Sequence, residues 1–266
     1  MFIISERING MFRAVRNAIV DKDAEAIQRI AKEQIAAGAD ALDVNVGPAS
    51  RDTAGTMQWL VETIQKVTDK PLCLDTPIPK TMEAALKVCD NPKIINSTNG
   101  EIEKLDALLP LAAEYNADII GLAMDSKGIP RDAAGRVEIA LQILASAMEH
   151  GIEPDRLYID PVALPVNAVQ AQSPNTLEAL SQIRLLSDPP PKTVVGLSNI
   201  SQGGSMRSLL NRTYVVMCIA HGLDAAIVDP GDRELVDASI TADLLMNKAI
   251  YADDFLKAYR ASKGIE

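Results

Sequence analysis

Eight short runs rich in Ile, Val and Leu recur along this chain at even intervals, and that rhythm constrains the fold more than any single motif. The runs are Phe2–Ile8, Ala41–Val46, Pro71–Asp75, Lys93–Ser97, Asp118–Met124, Leu157–Asp160, Thr193–Asn199 and Ala225–Asp229. Their apolar residues are near-continuous rather than alternating, as expected of strands buried on both faces. Between them lie 17–32 residues of helical periodicity, about what a βα unit needs. In Ala24–Ala37 the residues Ala26, Ile27, Ile30, Ala31 and Ile35 recur near a period of 3.6, and Gly38 stands where a helix would stop. Comparable stretches are Thr56–Val67, Thr81–Val88, Ile102–Tyr115, Gly135–His150, Thr176–Leu186, Ser208–His221 and Glu234–Asn247. Eight such alternations predict one α/β domain over residues 1–266, a single (β/α)8 TIM barrel. An open doubly wound sheet is the alternative, but it rarely needs eight even repeats.

Six of the eight runs end in, or run straight into, Asp or Asn: Asn9, Asp43 with Asn45, Asp75, Asn96, Asp160 and Asn199. None delivers a Lys or His. Active sites of such barrels lie at the carboxyl ends of the strands, so these side chains are expected in one crater. Asp43 and Asn45 are two apart and face the same way, and an inward polar pair in a strand of Leu and Val is costly unless hydrogen-bonded. Asp75 and Asp160 each precede a turn, where an Asp can simply cap a helix. On the third and sixth strands, however, they would approach each other across the mouth, with Asn96 on the strand after Asp75. Carboxylates accept hydrogen bonds, whereas an amide both donates and accepts. Together they match a neutral amino-amide ring edge, such as the N–C–N face of a pterin or guanine.

The first loop, Glu6-Arg7-Ile8-Asn9-Gly10, leaves two readings open: a Glu6–Arg7 pair that closes the barrel, or a binding role for Arg7. The seventh, from Gly196 through Asn199 and Gln202 to Arg207, holds paired glycines and small polar residues, and reads as a gate carrying Asn199 and Arg207. A glycine-rich loop after strand seven is a common phosphate site, but Asp229 and Asp232 in the eighth loop would repel a phosphate.

Net charge is −10 without a basic cluster, which argues against nucleic acid and anionic membranes as partners. No apolar run approaches the roughly 20 residues of a membrane span, and the N-terminus lacks the basic and apolar regions of a signal peptide, so a cytoplasmic protein is expected. Cys73, Cys89 and Cys218 are isolated and read as small apolar fillers. His150 and His221 each precede a glycine after a helical stretch, at the end of the barrel away from the crater. No metal of the protein's own is expected; a hard cation on carboxylates is specified by nothing here.

In this order the segments Glu6-Arg7-Ile8-Asn9-Gly10-Met11-Phe12, Leu42-Asp43-Val44-Asn45-Val46-Gly47-Pro48, Leu72-Cys73-Leu74-Asp75, Ile95-Asn96-Ser97-Thr98-Asn99, Tyr158-Ile159-Asp160-Pro161 and Gly196-Leu197-Ser198-Asn199 resemble the pterin-binding barrels. Within them the chain looks like the methyltetrahydrofolate:corrinoid/iron–sulfur protein methyltransferases of the acetyl-CoA pathway. The resemblance implies transfer of the N5 methyl group of methyltetrahydrofolate to the Co(I) centre of a cobalamin-type corrinoid carried by a partner protein. It implies that Asp75, Asn96 and Asp160 hold the pterin and that Asn199 reaches N5, with Asn199 and Asp160 as the catalytic pair. Asp43, Asn45, Ser198, Gln202 and Arg207 complete the expected folate contacts. It also implies a homodimer. A departure is Thr76-Pro77-Ile78-Pro79, whose two prolines stiffen the third loop. Rival readings are a related methyltransferase serving another corrinoid protein, including one running towards methyl-folate, a folate-binding subunit without chemistry, and dihydropteroate synthase.

Overall fold

The computed structural model describes residues 1–264. The eight runs become strands β1 Phe2–Asn9, β2 Ala41–Asn45, β3 Leu72–Asp75, β4 Lys93–Asn99, β5 Asp118–Leu122, β6 Leu157–Asp160, β7 Lys192–Gly196 and β8 Ala225–Val228. They pair in parallel in chain order, and β8 returns to β1 to close the expected barrel. The helices are α1 Arg13–Val20, α2 Ala24–Ala36, α3 Thr53–Ile64, α4 Pro79–Val88, α5 Ile102–Glu114, α6 Ala133–Glu149, α7 Val166–Val169, α8 Gln172–Ile183, α9 Arg207–Ala220, α10 Arg233–Leu245 and α11 Leu256–Lys263. Asp23, Asp52, Asp132 and Asp232 cap α2, α3, α6 and α10, each accepting a backbone N–H three residues on.

Apolar packing occupies two places. Outside the strands, residues such as Leu42, Leu74, Ile119 and Ile159 pack against helix residues such as Leu60, Met82, Leu109 and Ile143. Inside, one buried residue from every strand fills the barrel: Ile4, Ala41, Cys73, Ile94, Ile120, Tyr158, Val194 and Ala225. Side chains alternate across a strand, so the residues two positions on also point inward, one step nearer the mouth. They are Glu6, Asp43, Asp75, Asn96, Leu122, Asp160, Gly196 and Ile227. An apolar layer thus underlies a polar one, with Ala41, Cys73, Ile94 and Tyr158 each two residues before an acid or amide.

The structure departs from the sequence reading in three places. The seventh strand ends at Gly196, and Leu197–Ser201 winds into a 3₁₀ turn, so Asn199 sits on a turn rather than at a strand end. Leu197 is buried and prolongs the apolar signal past the true end of the strand. The first connection holds an additional helix, α1, and the chain continues after α10 through a wide turn, Tyr251–Phe255, into α11. The prolines of the third loop prove local: Pro79 is the first residue of α4, where its missing N–H costs nothing. His150 and His221 cap the carboxyl ends of α6 and α9, as expected. Among the described residues no helix is long and apolar enough to cross a membrane.

Candidate active site at the carboxyl end of the barrel

The polar layer divides into two groups. On the β2–β4 side, the Asn45 amide donates to Asp75 Oδ2 at 2.5 Å and the Asn96 amide donates to Asp43 Oδ1 at 3.1 Å. The strand registers produce this, since Asn45, Asp75 and Asn96 are aligned across β2, β3 and β4. Burial, with the neighbouring Asp75 carboxylate next, pushes the Asp43 carboxyl well above the usual range, against hydrogen bonds from Asn96 and the Cys73 thiol. Asp75 is also raised by burial, opposed by the Asn45 bond. Asp43 is the deeper of the two acids, 3% exposed.

Asp160 stands on the other side, on β6. Its Oδ1 accepts the Val162 N–H at 2.7 Å and its Oδ2 accepts the Gly196 N–H at 3.2 Å. Burial nevertheless pushes its carboxyl up to about 6, against those two bonds and the charge of Arg136. Such a group changes protonation close to neutral pH. Asn199, exposed on the turn after β7, converges on the same spot: a methyl placed on Gly196 would lie 3.2 Å from Asn199 Nδ2 and 3.9 Å from Asp160 Oδ2. Glycine at 196 is what lets the amide and the carboxyl face one small space.

The turn that carries Asn199 is tied at both ends. Ser198 Oγ donates to Glu6 Oε1 at 2.7 Å, and Arg207 Nε donates to Ser201 Oγ at 3.2 Å. Glu6 therefore does not pair with Arg7. Arg7 instead lies over the Phe12 ring at 4.4 Å and 3.5 Å from Asp229. Burial raises the Glu6 carboxyl, against its bond from Ser198. Glu6, Arg7, Ser198, Arg207 and Asp229 line a cleft of about 380 Å³ beside the polar layer. Asp232 caps α10 and Asp229 faces Arg7, so only part of the acidity read in the eighth loop reaches a ligand there.

The nine residues singled out from sequence are thus distributed unevenly. Asp43, Asn45, Asp75 and Asn96 form two adjacent hydrogen-bonded pairs, while Asp160 and Asn199 flank Gly196. Ser198 and Arg207 hold the turn, and Gln202 is exposed at its end. Two residues were missed. Gly196 carried a signal, as the small residue just after a buried strand; Arg136, buried behind Asp160, carried none. Among the described residues no group of three or more His, Cys, Asp or Glu is placed to hold a metal ion.

The sequence profile of the pterin binding enzymes matches residues 13–229, and the chain belongs to that family. It is 31% identical over 265 residues to a methylcorrinoid:tetrahydrofolate methyltransferase of Eubacterium limosum, covering 99% of this chain and 97% of that one. It is 29% identical over 241 residues to the methionine synthase of Mycobacterium tuberculosis, spanning 86% of this chain but 20% of that protein. Among solved structures, dihydropteroate synthases share the fold. The Vibrio fischeri enzyme superimposes with a TM-score of 0.70 at 17% identity, over 94% of each chain. A Yersinia pestis enzyme bound to a pterine–sulfa conjugate gives 0.69 at 16%, over 93% of this chain and 94% of the other.

Proposed function

We propose that this chain is a methyltransferase that moves a methyl group between N5 of a tetrahydrofolate and the cobalt of a corrinoid carried by a separate protein. The observation behind this reading is the division of the polar layer. The Asp43–Asn96 and Asn45–Asp75 pairs offer carboxylate acceptors and amide groups at one side, matching the amino-amide edge of a pterin. Asp160 and Asn199 converge on the other side, where N5 of a ring held by that edge would lie. The chain's similarity to a methylcorrinoid:tetrahydrofolate methyltransferase over nearly its full length supports the same reading.

A tertiary amine nitrogen is a poor leaving group until it gains positive character. When the N5–methyl bond breaks, its electron pair stays on nitrogen, which takes a proton. The Asn199 amide donates a hydrogen bond to that developing pair without changing its own charge. A donor whose bond strengthens only in the transition state raises the rate more than ground-state binding does. Asp160, held near 6, orients the ring and supplies or relays the proton. The reduced corrinoid contributes the electron pair of the new cobalt–methyl bond, so the chain needs no nucleophile of its own.

Two directions of the same chemistry are proposed together. The resemblance of the sequence implies transfer from methyltetrahydrofolate to Co(I); the name of the Eubacterium limosum relative favours the reverse. By microscopic reversibility the same donors serve both. The homodimer, the cytoplasmic setting, the acetyl-CoA pathway and the choice of corrinoid protein belong to this proposal. Light scattering tests the first, and pull-down against candidate corrinoid proteins the last.

The decisive experiment mixes the protein with methyltetrahydrofolate and photoreduced cobalamin and follows loss of the Co(I) absorbance. A parallel reaction starts from methylcobalamin and tetrahydrofolate. Enzyme-dependent change in at least one direction is expected. Silence in both, with product formed from p-aminobenzoate and a dihydropterin pyrophosphate, would replace this reading with dihydropteroate synthase.

A further inference from the structure

Arg136, on α6, heads the largest fully buried side chains, with no exposed surface. A guanidinium removed from water costs several kcal/mol unless its donors are satisfied and its charge balanced. Four of its five N–H donors are used: Nε reaches Pro130 O at 3.0 Å, Nη1 reaches Thr176 Oγ1 at 2.5 Å and Val162 O at 3.4 Å, and Nη2 reaches Gln172 Oε1 at 2.8 Å. All four acceptors are neutral. The buried acid within reach of the charge is Asp160.

Val162 links the two. It is β-branched yet sits in the left-handed region at φ +64°, where its Cβ crowds the backbone. Strain of that kind persists only where surrounding groups enforce it, and it gathers at functional sites. Here the Val162 N–H is held by Asp160 Oδ1 and the Val162 carbonyl by Arg136. The two bonds fix the backbone on either side of one strained Cα. Arg136 also joins this loop to α8 through Gln172 and Thr176.

We propose that Arg136, acting through the strained Val162 backbone, is the positioning residue of the Asp160 carboxyl. It does not touch the reacting atoms. It holds Val162 in the one conformation that aims its N–H at Asp160, and so fixes where that carboxyl meets the ring. The proposal rests on the role given to Asp160 above, but its first test needs no substrate. The groups facing Asp160 are Arg136 from α6, Tyr214 and Cys218 from α9, and the Gly196 N–H from β7.

The test compares wild type, Arg136→Lys, Val162→Gly and the double variant. Lysine keeps the charge but cannot span four acceptors. Glycine adopts φ +64° without strain, so Val162→Gly removes the need for enforcement. Carbon-13 labelling of aspartate, read by NMR against pH and assigned with Asp160→Asn, reports the carboxyl directly. In Arg136→Lys the Asp160 midpoint is expected to rise by about one pH unit, as the Val162 N–H bond is lost. Methyl transfer at pH 7 is expected to fall at least about tenfold. Adding Val162→Gly should return both most of the way, while Val162→Gly alone leaves the midpoint in place. An unmoved midpoint in Arg136→Lys overturns the proposal, and so does a loss that Val162→Gly does not reverse. If Arg136→Lys does not fold, Thr176→Val, which takes away the acceptor that seats Nη1 beside the Val162 carbonyl, takes its place, and an unshifted midpoint there is equally fatal. A wild type without methyl transfer would sink the functional reading yet leave the titration result standing.

Discussion

Replacing Asn199 by Ala removes the amide that faces Asp160 across Gly196 while leaving the β2–β4 cluster intact. Methyl transfer is expected to slow about 10–1000-fold, the scale of losing one preorganised transition-state donor, with folate affinity little changed. Stopped-flow loss of Co(I) beside calorimetric folate binding checks both halves, and undiminished transfer would take Asn199 out of the mechanism. Asp75→Ala should do the opposite, weakening folate binding by about 1–3 kcal/mol because a ring donor is left unsatisfied. Normal affinity by calorimetry would contradict that assignment. Gly196→Ala is a subtler test: the new methyl, 3.2 Å from Asn199 Nδ2, must push the amide away. Transfer should drop several-fold or more while the melting temperature moves little.

The residues of the strands were legible because two regularities coincide. Period-two alternation placed Asp43 and Asn45 on one face, and barrel geometry placed Asp75, Asn96 and Asp160 at one end. What escaped was set by tertiary partners. Glu6 and Arg7 are adjacent, but one answers to Ser198 and the other to Asp229, across the seam between first and last strands. Arg136 sits in a stretch whose periodicity any amphipathic helix shows, and nothing local marks an arginine destined for burial.

Among the elements, the Leu197–Ser201 turn matters most. The sequence carries the strand as far as Asn199 because Leu197 continues the apolar run, although Gly196 to Arg207 also reads as a loop, and only the contacts of Ser198 and Ser201 reveal a tethered turn. Ser198→Ala should loosen it, costing about 1 kcal/mol of stability and a larger share of transfer than of folate binding. Equal losses in binding and transfer would mean the turn only shapes the pocket. The α1 helix was missed because it is short and lies directly before the stronger signal of α2, whereas the long, evenly patterned helices were recovered to within a few residues.

For the whole molecule, four carboxyls of the crater (Glu6, Asp43, Asp75 and Asp160) are all raised, each first of all by burial. The native state therefore binds protons more tightly than the unfolded chain, and stability is fullest below the unfolded values and is lost as pH rises through the folded ones. For Asp160 that window runs from 3.8 to about 6, a contribution of about 3 kcal/mol. The urea midpoint of the ligand-free protein is expected to be higher at pH 5 than at pH 7.5, and Asp160→Asn should flatten part of the difference. A midpoint that climbs with pH would show these acids ionising in the fold without penalty.

The separation of the polar layer into a β2–β4 cluster and a β6–β7 pair means that grip and reaction belong to different stretches of chain. Substitution can then rework what happens at the ring's far edge while the near edge stays seated, so one scaffold can change its chemistry without first losing its ligand.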